Sequence, residues 1–124
     1  MTLTTIILIL ATHFIADFMC QTDEQAKNKS KSNFALSLHV SIYTCGLYLL
    51  AVVLIFTYFR EDGGYLMAWV FTNGALHWIT DYYTSRLNKH LWETGNVHNF
   101  FVGVGFDQLI HYICLFATYQ YIVL

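Results

Sequence analysis

Four long apolar runs, separated by short polar segments, leave this chain few folds to choose from. They cover about Leu3–Cys20, Phe34–Phe59, Tyr65–Arg86 and Phe100–Leu124. Each has roughly the ~20 residues that a helix needs to cross a bilayer, the first being at the short end. Gln21–Asn33 reads as a polar loop with room for a helical turn at its start. Arg60-Glu61-Asp62-Gly63-Gly64 reads as a tight turn, and Leu87–Asn99 as a mixed loop containing Gly95. Only 11% of residues are charged and 56% are hydrophobic. Ordinary soluble domains carry roughly 25% charged residues, so this is the composition of an integral membrane protein. Short connections between long helices favour an up-down arrangement. The expected fold is therefore all-α, a single domain 1–124 forming a four-helix transmembrane bundle with spans about 3–21, 34–59, 65–87 and 99–124.

The charged residues set further bounds. A net charge of −2 with no Lys/Arg stripe gives nothing in favour of nucleic acid, and no nucleic-acid partner is expected. Lys27, Lys29, Lys31, Arg86 and Lys89 lie in or beside the first and third connections, and only Arg60 lies in the second. By the positive-inside rule the first and third connections are cytoplasmic and both termini face outward. The first run lacks a basic flank and a small-residue cleavage site, so it reads as a retained helix rather than a signal peptide. Without proline, no proline kinks are expected. The three cysteines form no CxxC and read as small hydrophobes.

Inside the apolar runs sit ionisable residues, which are costly in such surroundings unless paired or bound. His13 and Asp17 are four residues apart in the first run, and His77 and Asp81 repeat the spacing in the third. Asp107 and His111 reverse it in the fourth, and His39 stands alone in the second. Residues four apart share one face of a helix. Counted at ~1.5 Å per residue from the cytoplasmic ends, all seven fall in the cytoplasmic half. The reversed order in the returning helix is what antiparallel helices need to bring like groups together. The recurrence of His-x-x-x-Asp, each followed by a helix with one His, also suggests two repeated helix pairs.

Three carboxylates crowded in a low dielectric repel one another, and a divalent cation removes that problem. Imidazole and carboxylate are ligands for transition metals. The expected ligands are His13, Asp17, His39, His77, Asp81, Asp107 and His111, enough for one or two divalent ions (Zn, Mn or Fe). Asp107, Asp17 and Asp81 are the candidate catalytic carboxylates, with Asp107 or Asp17 favoured as metal bridge or general base. Gln21, Tyr43, Asn73, Thr80, Ser85 and Gln108 could supply supporting hydrogen bonds. Arg86 could receive a substrate anion or simply sit at the membrane rim.

The His-x-x-Ala-Asp-Phe-x-x-Gln stretch from His13 to Gln21 resembles the signature of a small bacterial and phage family of membrane proteins with no assigned function. Asp-Gln-x-x-His from Asp107 to His111, His-x-x-x-Asp-Tyr from His77 to Tyr82, and the His39 helix match the same pattern. The resemblance covers nearly the whole chain and implies a four-helix membrane domain, placed in a bacterial inner membrane or that of a phage host. More distantly the arrangement is similar to membrane-bound metal-dependent hydrolases. No substrate follows from either.

The expected function is a metal-dependent hydrolase acting on a lipid or amphiphilic ester or phosphoester at the cytoplasmic leaflet. The partners are then membrane lipid and an amphiphilic small molecule. A metal-ion or proton transporter and a haem-binding electron carrier are the alternatives that the same residues leave open, with a small regulatory protein behind them.

Overall fold

The computed structural model describes residues 1–57 and 63–124. Of the expected turn Arg60-Glu61-Asp62-Gly63-Gly64, residues 60–62 lie outside the described residues, while Gly63 and Gly64 open a helix. Those described form five α-helices and no strand. Helix α1 (Leu3–Phe14) is capped by the Thr2 side chain and continues into a π-helical turn, Ile15–Met19. The short α2 (Asp23–Asn28) follows, then α3 (Asn33–Thr57), α4 (Gly63–Glu93) and α5 (Val97–Thr118). A second π-helical turn, Tyr119–Val123, extends α5.

The connections differ from the sequence expectation in two places. Residues 21–33 hold a true helix. The Thr22 side chain accepts from the Gln25 amide and the Gln25 side chain accepts from the Thr22 amide, a reciprocal cap that starts α2. Residues 87–93 extend α4 by nearly two turns, so the third connection shrinks to Thr94–Asn96. Gly95, at φ +72°, closes α4: the Asn96 amide donates to the Leu91 carbonyl and the Gly95 amide to that of Trp92. This left-handed exit suits glycine. His90 and His98, expected in that connection, are exposed on α4 and α5.

Helix α4 is the central element, packed along both α3 and α5, with α1 against α3. The contact of α1 with α3 is close: a Cβ on Gly46 would meet the Ala16 methyl at 2.8 Å. That approach brings the Asp17 turn against α3. The apolar core gathers Leu47, Leu54, Leu66, Trp69 and Leu115, with Ile9 and Tyr119. Trp69 donates its indole N–H to the Leu115 carbonyl at 3.0 Å. Asn73 donates to the Trp69 carbonyl and to the Thr118 hydroxyl.

Two helices are long and apolar enough to cross a membrane, Asn33–Thr57 and the Val97–Val123 helix with its π-turn. Leu3–Met19 is apolar but shorter. Helix α4 is the longest, yet it carries Asn73, His77, Thr80, Asp81 and Thr84 among its buried residues. The described residues thus give two candidate spans where the apolar runs suggested four. The polar residues on α4, and the end of the first apolar helix at Met19, account for the difference.

Candidate metal centre

The seven expected residues come together in one buried cluster. His13, His39, His77, Asp81 and His111 are 2% exposed or less, and Asp17 is 4% exposed. The Asp107 side chain is the most accessible, at 14%. The π-turn carries Asp17 and widens the helix where its carboxylate meets α3 and α4. Such turns are common at functional sites.

Four atoms form the centre. His39 Nε2 lies 3.1 Å from Asp17 Oδ1, 3.4 Å from Asp81 Oδ2 and 3.2 Å from His77 Nε2. His77 Nε2 lies 3.4 Å from Asp17 Oδ1 and 3.6 Å from Asp81 Oδ2. Metal–ligand bonds of about 2.0–2.1 Å at tetrahedral angles place neighbouring ligand atoms about 3.3–3.4 Å apart. These five separations cluster around that value. Two nitrogens and two oxygens from α1's π-turn, α3 and α4 thus form a group that could hold one small cation.

A second group adjoins the first. His111 Nε2 lies 3.6 Å from Asp81 Oδ1, and His111 Nδ1 lies 3.5 Å from Asp107 Oδ2. Asp81 thereby offers one oxygen to each group. A third grouping of His13, Asp17 and His111 overlaps both. Buried polar atoms normally have a hydrogen-bond partner. His77 Nδ1 and both ring nitrogens of His111 have none.

His13 is different. Its Nδ1 faces the Tyr43 hydroxyl at 3.2 Å and its Nε2 faces Gln108 Oε1 at 2.9 Å. Both nitrogens are engaged, and the ring braces the centre rather than presenting a free lone pair to it.

Hydrogen bonds from neighbouring helices hold the ligands. Gln108 links three of the seven: its amide nitrogen donates to Asp17 Oδ2 and Asp107 Oδ2, and its carbonyl oxygen faces His13. Thr84 donates to Asp107 Oδ1 at 2.5 Å. Gln21 reaches His39 Nδ1 at 3.2 Å. A half-turn of that amide makes it the acceptor of Nδ1–H, which leaves the Nε2 lone pair to a cation. The Tyr43 ring stacks on His77 with centroids 3.9 Å apart, fixing the imidazole plane. Of the other candidate supports, Asn73 serves the apolar core and Ser85 Oγ has no partner. Arg86 covers the Tyr82 ring and donates to Asn33, tying α4 to the start of α3.

Lys29 is the functional residue that sequence reasoning missed. Its ammonium donates to Asp81 Oδ2 at 2.8 Å, and its side chain is only 18% exposed. Burial opposes the charge, but the Asp81 and Asp17 carboxylates outweigh it and hold the Lys29 pKa above its ordinary value. Read as one of several lysines in a polar loop, Lys29 carried no signal. The cap at Thr22 that starts α2 and turns the chain back towards the site was the only available hint.

Beside the centre lies a cavity of about 620 Å³. Asp17, Asp107, Gln108 and Thr84 line its inner wall, and Lys27, Lys29 and Lys89 line it as well.

A family model described as a protein of unknown function, DUF3307, matches residues 5–124. The chain belongs to that family. No curated protein and no solved structure matches it. Membership in DUF3307 agrees with the expectation of a family without an assigned function, and the family's description names neither a membrane nor a reaction.

Proposed function

We propose that this DUF3307 protein is an integral membrane metal-dependent hydrolase. Its substrate is a lipid or amphiphilic ester or phosphoester at the cytoplasmic leaflet of a bacterial inner membrane. The observation that carries the reading is the convergence of His39 Nε2, His77 Nε2, Asp17 Oδ1 and Asp81 Oδ2 at separations of 3.1–3.6 Å. Beside them His111 has both nitrogens buried and unpartnered.

The membrane part rests on exposure. The apolar window of α3 is 33% buried and that of α5 is 11% buried. The core helix of a water-soluble protein would be mostly buried. Apolar helices that keep most of their surface uncovered need an apolar surrounding. In that setting α1 with its π-turn and α4 are the remaining two spans of a four-helix bundle. The end bearing Lys27, Lys29 and Lys89 then faces the cytoplasm.

Charge supports a divalent ion. Asp17, Asp81 and Asp107 carry three negative charges and Lys29 supplies one positive charge. With neutral imidazoles two negative charges remain, which one divalent ion balances. It would be held by His39, His77, Asp17 and Asp81. A second, held by Asp81, Asp107 and His111, would make Asp81 the bridging carboxylate. An ion in such a site supplies a water nucleophile at neutral pH and polarises the bond to be cleaved. Asp107, the most open carboxylate, borders the cavity and is held by Thr84 and Gln108. With a single ion at the four-atom centre, where it holds no metal, Asp107 would take the proton from the attacking water and return it to the leaving oxygen. The water oxygen joins the phosphorus or acyl carbon as the bond to the leaving oxygen breaks.

The rival readings meet specific contacts. Leu47, Leu54, Leu66 and Trp69 are fully buried beyond the site, which favours a one-sided pocket over a transport path. The two facing Nε2 atoms of His39 and His77, 3.2 Å apart, suit one small ion rather than a macrocycle. Metal analysis of gently purified protein tests the proposal. Stoichiometric Zn, Mn or Fe is expected in wild type and none in His77→Ala. Wild-type protein without metal ends the reading.

A further inference from the structure

The cavity beside the centre is lined by both acidic and basic side chains, and what it binds depends on the metal centre proposed above. Its lining includes two carboxylates of the centre, Asp17 and Asp107. Three lysines, Lys27, Lys29 and Lys89, also line it. Its side walls include Phe18, Trp92 and Phe101, which are 45%, 58% and 64% exposed. These apolar residues are thus exposed on the outer surface of the protein as well as lining the cavity. A volume of about 620 Å³ is of the size that holds a headgroup and the start of a chain.

The position of Lys29 links cavity and centre. Its ammonium donates to Asp81 Oδ2, the same oxygen that completes the four-atom shell. A divalent ion about 2 Å from that oxygen would stand close to the ammonium. Two cations on one carboxylate oxygen repel, so loading the centre weakens the hold of Asp81 on Lys29. The side chain already lines the cavity and can turn its charge there.

We infer that the cavity receives a lipid-borne phosphate monoester, and that Lys29 binds its phosphate once metal has taken Asp81. Charge selects this class. With Lys29 in place, two divalent ions leave the cluster with two positive charges, and a phosphate monoester carries about −1.5 to −2. A zwitterionic headgroup would not balance the site. Inorganic phosphate would leave the walls of Phe18, Trp92 and Phe101 uncovered. Lys27 and Lys89 add positive charge to the lining, while Arg86 is engaged by Tyr82 and Asn33 and takes no part.

The test uses the full chain in detergent micelles, loaded with zinc, with zinc content and ligand affinity measured separately. Lysophosphatidic acid, lysophosphatidylcholine and inorganic phosphate are the probes. Lysophosphatidic acid is expected to bind about tenfold or more tighter than either of the others. Lys29→Met is expected to lose about tenfold in that affinity, the worth of one charge-assisted hydrogen bond. Lys29→Arg should keep most of it. Without lipid, Lys29→Met should bind zinc more tightly than wild type, because the competing cation is gone. Circular dichroism of both variants checks that the helices persist.

Equal binding of the two lysolipids by zinc-loaded protein overturns this inference and leaves the metal reading standing. So does unchanged lysophosphatidic acid affinity in Lys29→Met, and inorganic phosphate binding as tightly as the lipid overturns the lipid-borne source. Wild-type protein that takes up no metal removes both readings together.

Discussion

At one end of the bundle Leu47, Leu54, Leu66 and Trp69 pack with Ile9, Leu115 and Tyr119. At the other, three carboxylates and four imidazoles fill the same interior between the same helices. The first region is held by shape: dispersion between fitted side chains, with a few hydrogen bonds such as Trp69 to the Leu115 carbonyl to set the register. The second region cannot be held that way. Its members are individually unfavourable in an apolar interior and depend on their mutual geometry, on Lys29 and, on the proposed reading, on a shared cation. Substitutions at the two ends should therefore fail differently, one in stability and the other in binding.

The largest effect is expected at the polar end. Asp17→Asn replaces a charged carboxylate of the four-atom centre with a neutral amide and should lower metal affinity by more than about 100-fold, beyond the loss typical of a supporting residue. Isothermal titration with zinc checks this; an unchanged affinity would place the ion elsewhere. Gln108→Ala should cost about 10–100-fold, since Gln108 orients Asp17 and Asp107 and engages His13 without being a ligand itself. A loss as large as that of Asp17→Asn would blur the distinction between ligand and support. At the apolar end, Leu54→Ala should leave zinc affinity within about twofold while lowering stability. Water-soluble cores lose about 2–5 kcal/mol for such a change. On the proposed membrane reading a value near the lower bound is expected, because in a membrane a truncated side chain loses packing rather than shelter from water. Unfolding of the purified protein in mixed micelles measures it, and a large fall in zinc affinity would show the two ends to be coupled. The smallest effect is expected at Asn73→Ala, which removes the hydrogen bond to Thr118. Interhelical hydrogen bonds in membranes average about 0.6 kcal/mol, so a change above about 2 kcal/mol would contradict the view of this region as held by shape.

Much of the polar end could be read along the chain. His13–Asp17, His77–Asp81 and Asp107–His111 each declare a shared helix face by their spacing, and isolated charges in apolar runs declare that they need company. The helices were visible for the same reason, as continuous apolar stretches. The elements that escaped are those with no periodic signature. Helix α2 has six residues and depends on the Thr22–Gln25 cap. The extension of α4 through Leu87–Glu93 lies in polar sequence, where packing and the Gly95 exit, rather than hydropathy, decide the end. Lys29 escaped because its partner is 52 residues away.

The identity of the chemical groups was thus settled by the residues themselves. A chain with three His/Asp pairs on helical faces, and little else that is charged inside its apolar runs, must bring those groups together or leave them at great cost in an apolar interior. Only the tertiary structure decided their ranks. It put Asp81 between two groups, engaged both nitrogens of His13, left those of His111 bare, opened Asp107 to the cavity, and laid Lys29 on the central carboxylate. Spacing along a helix fixes which way a side chain points. The distances between atoms on different helices depend on how closely those helices approach and in what register, and no local pattern encodes that.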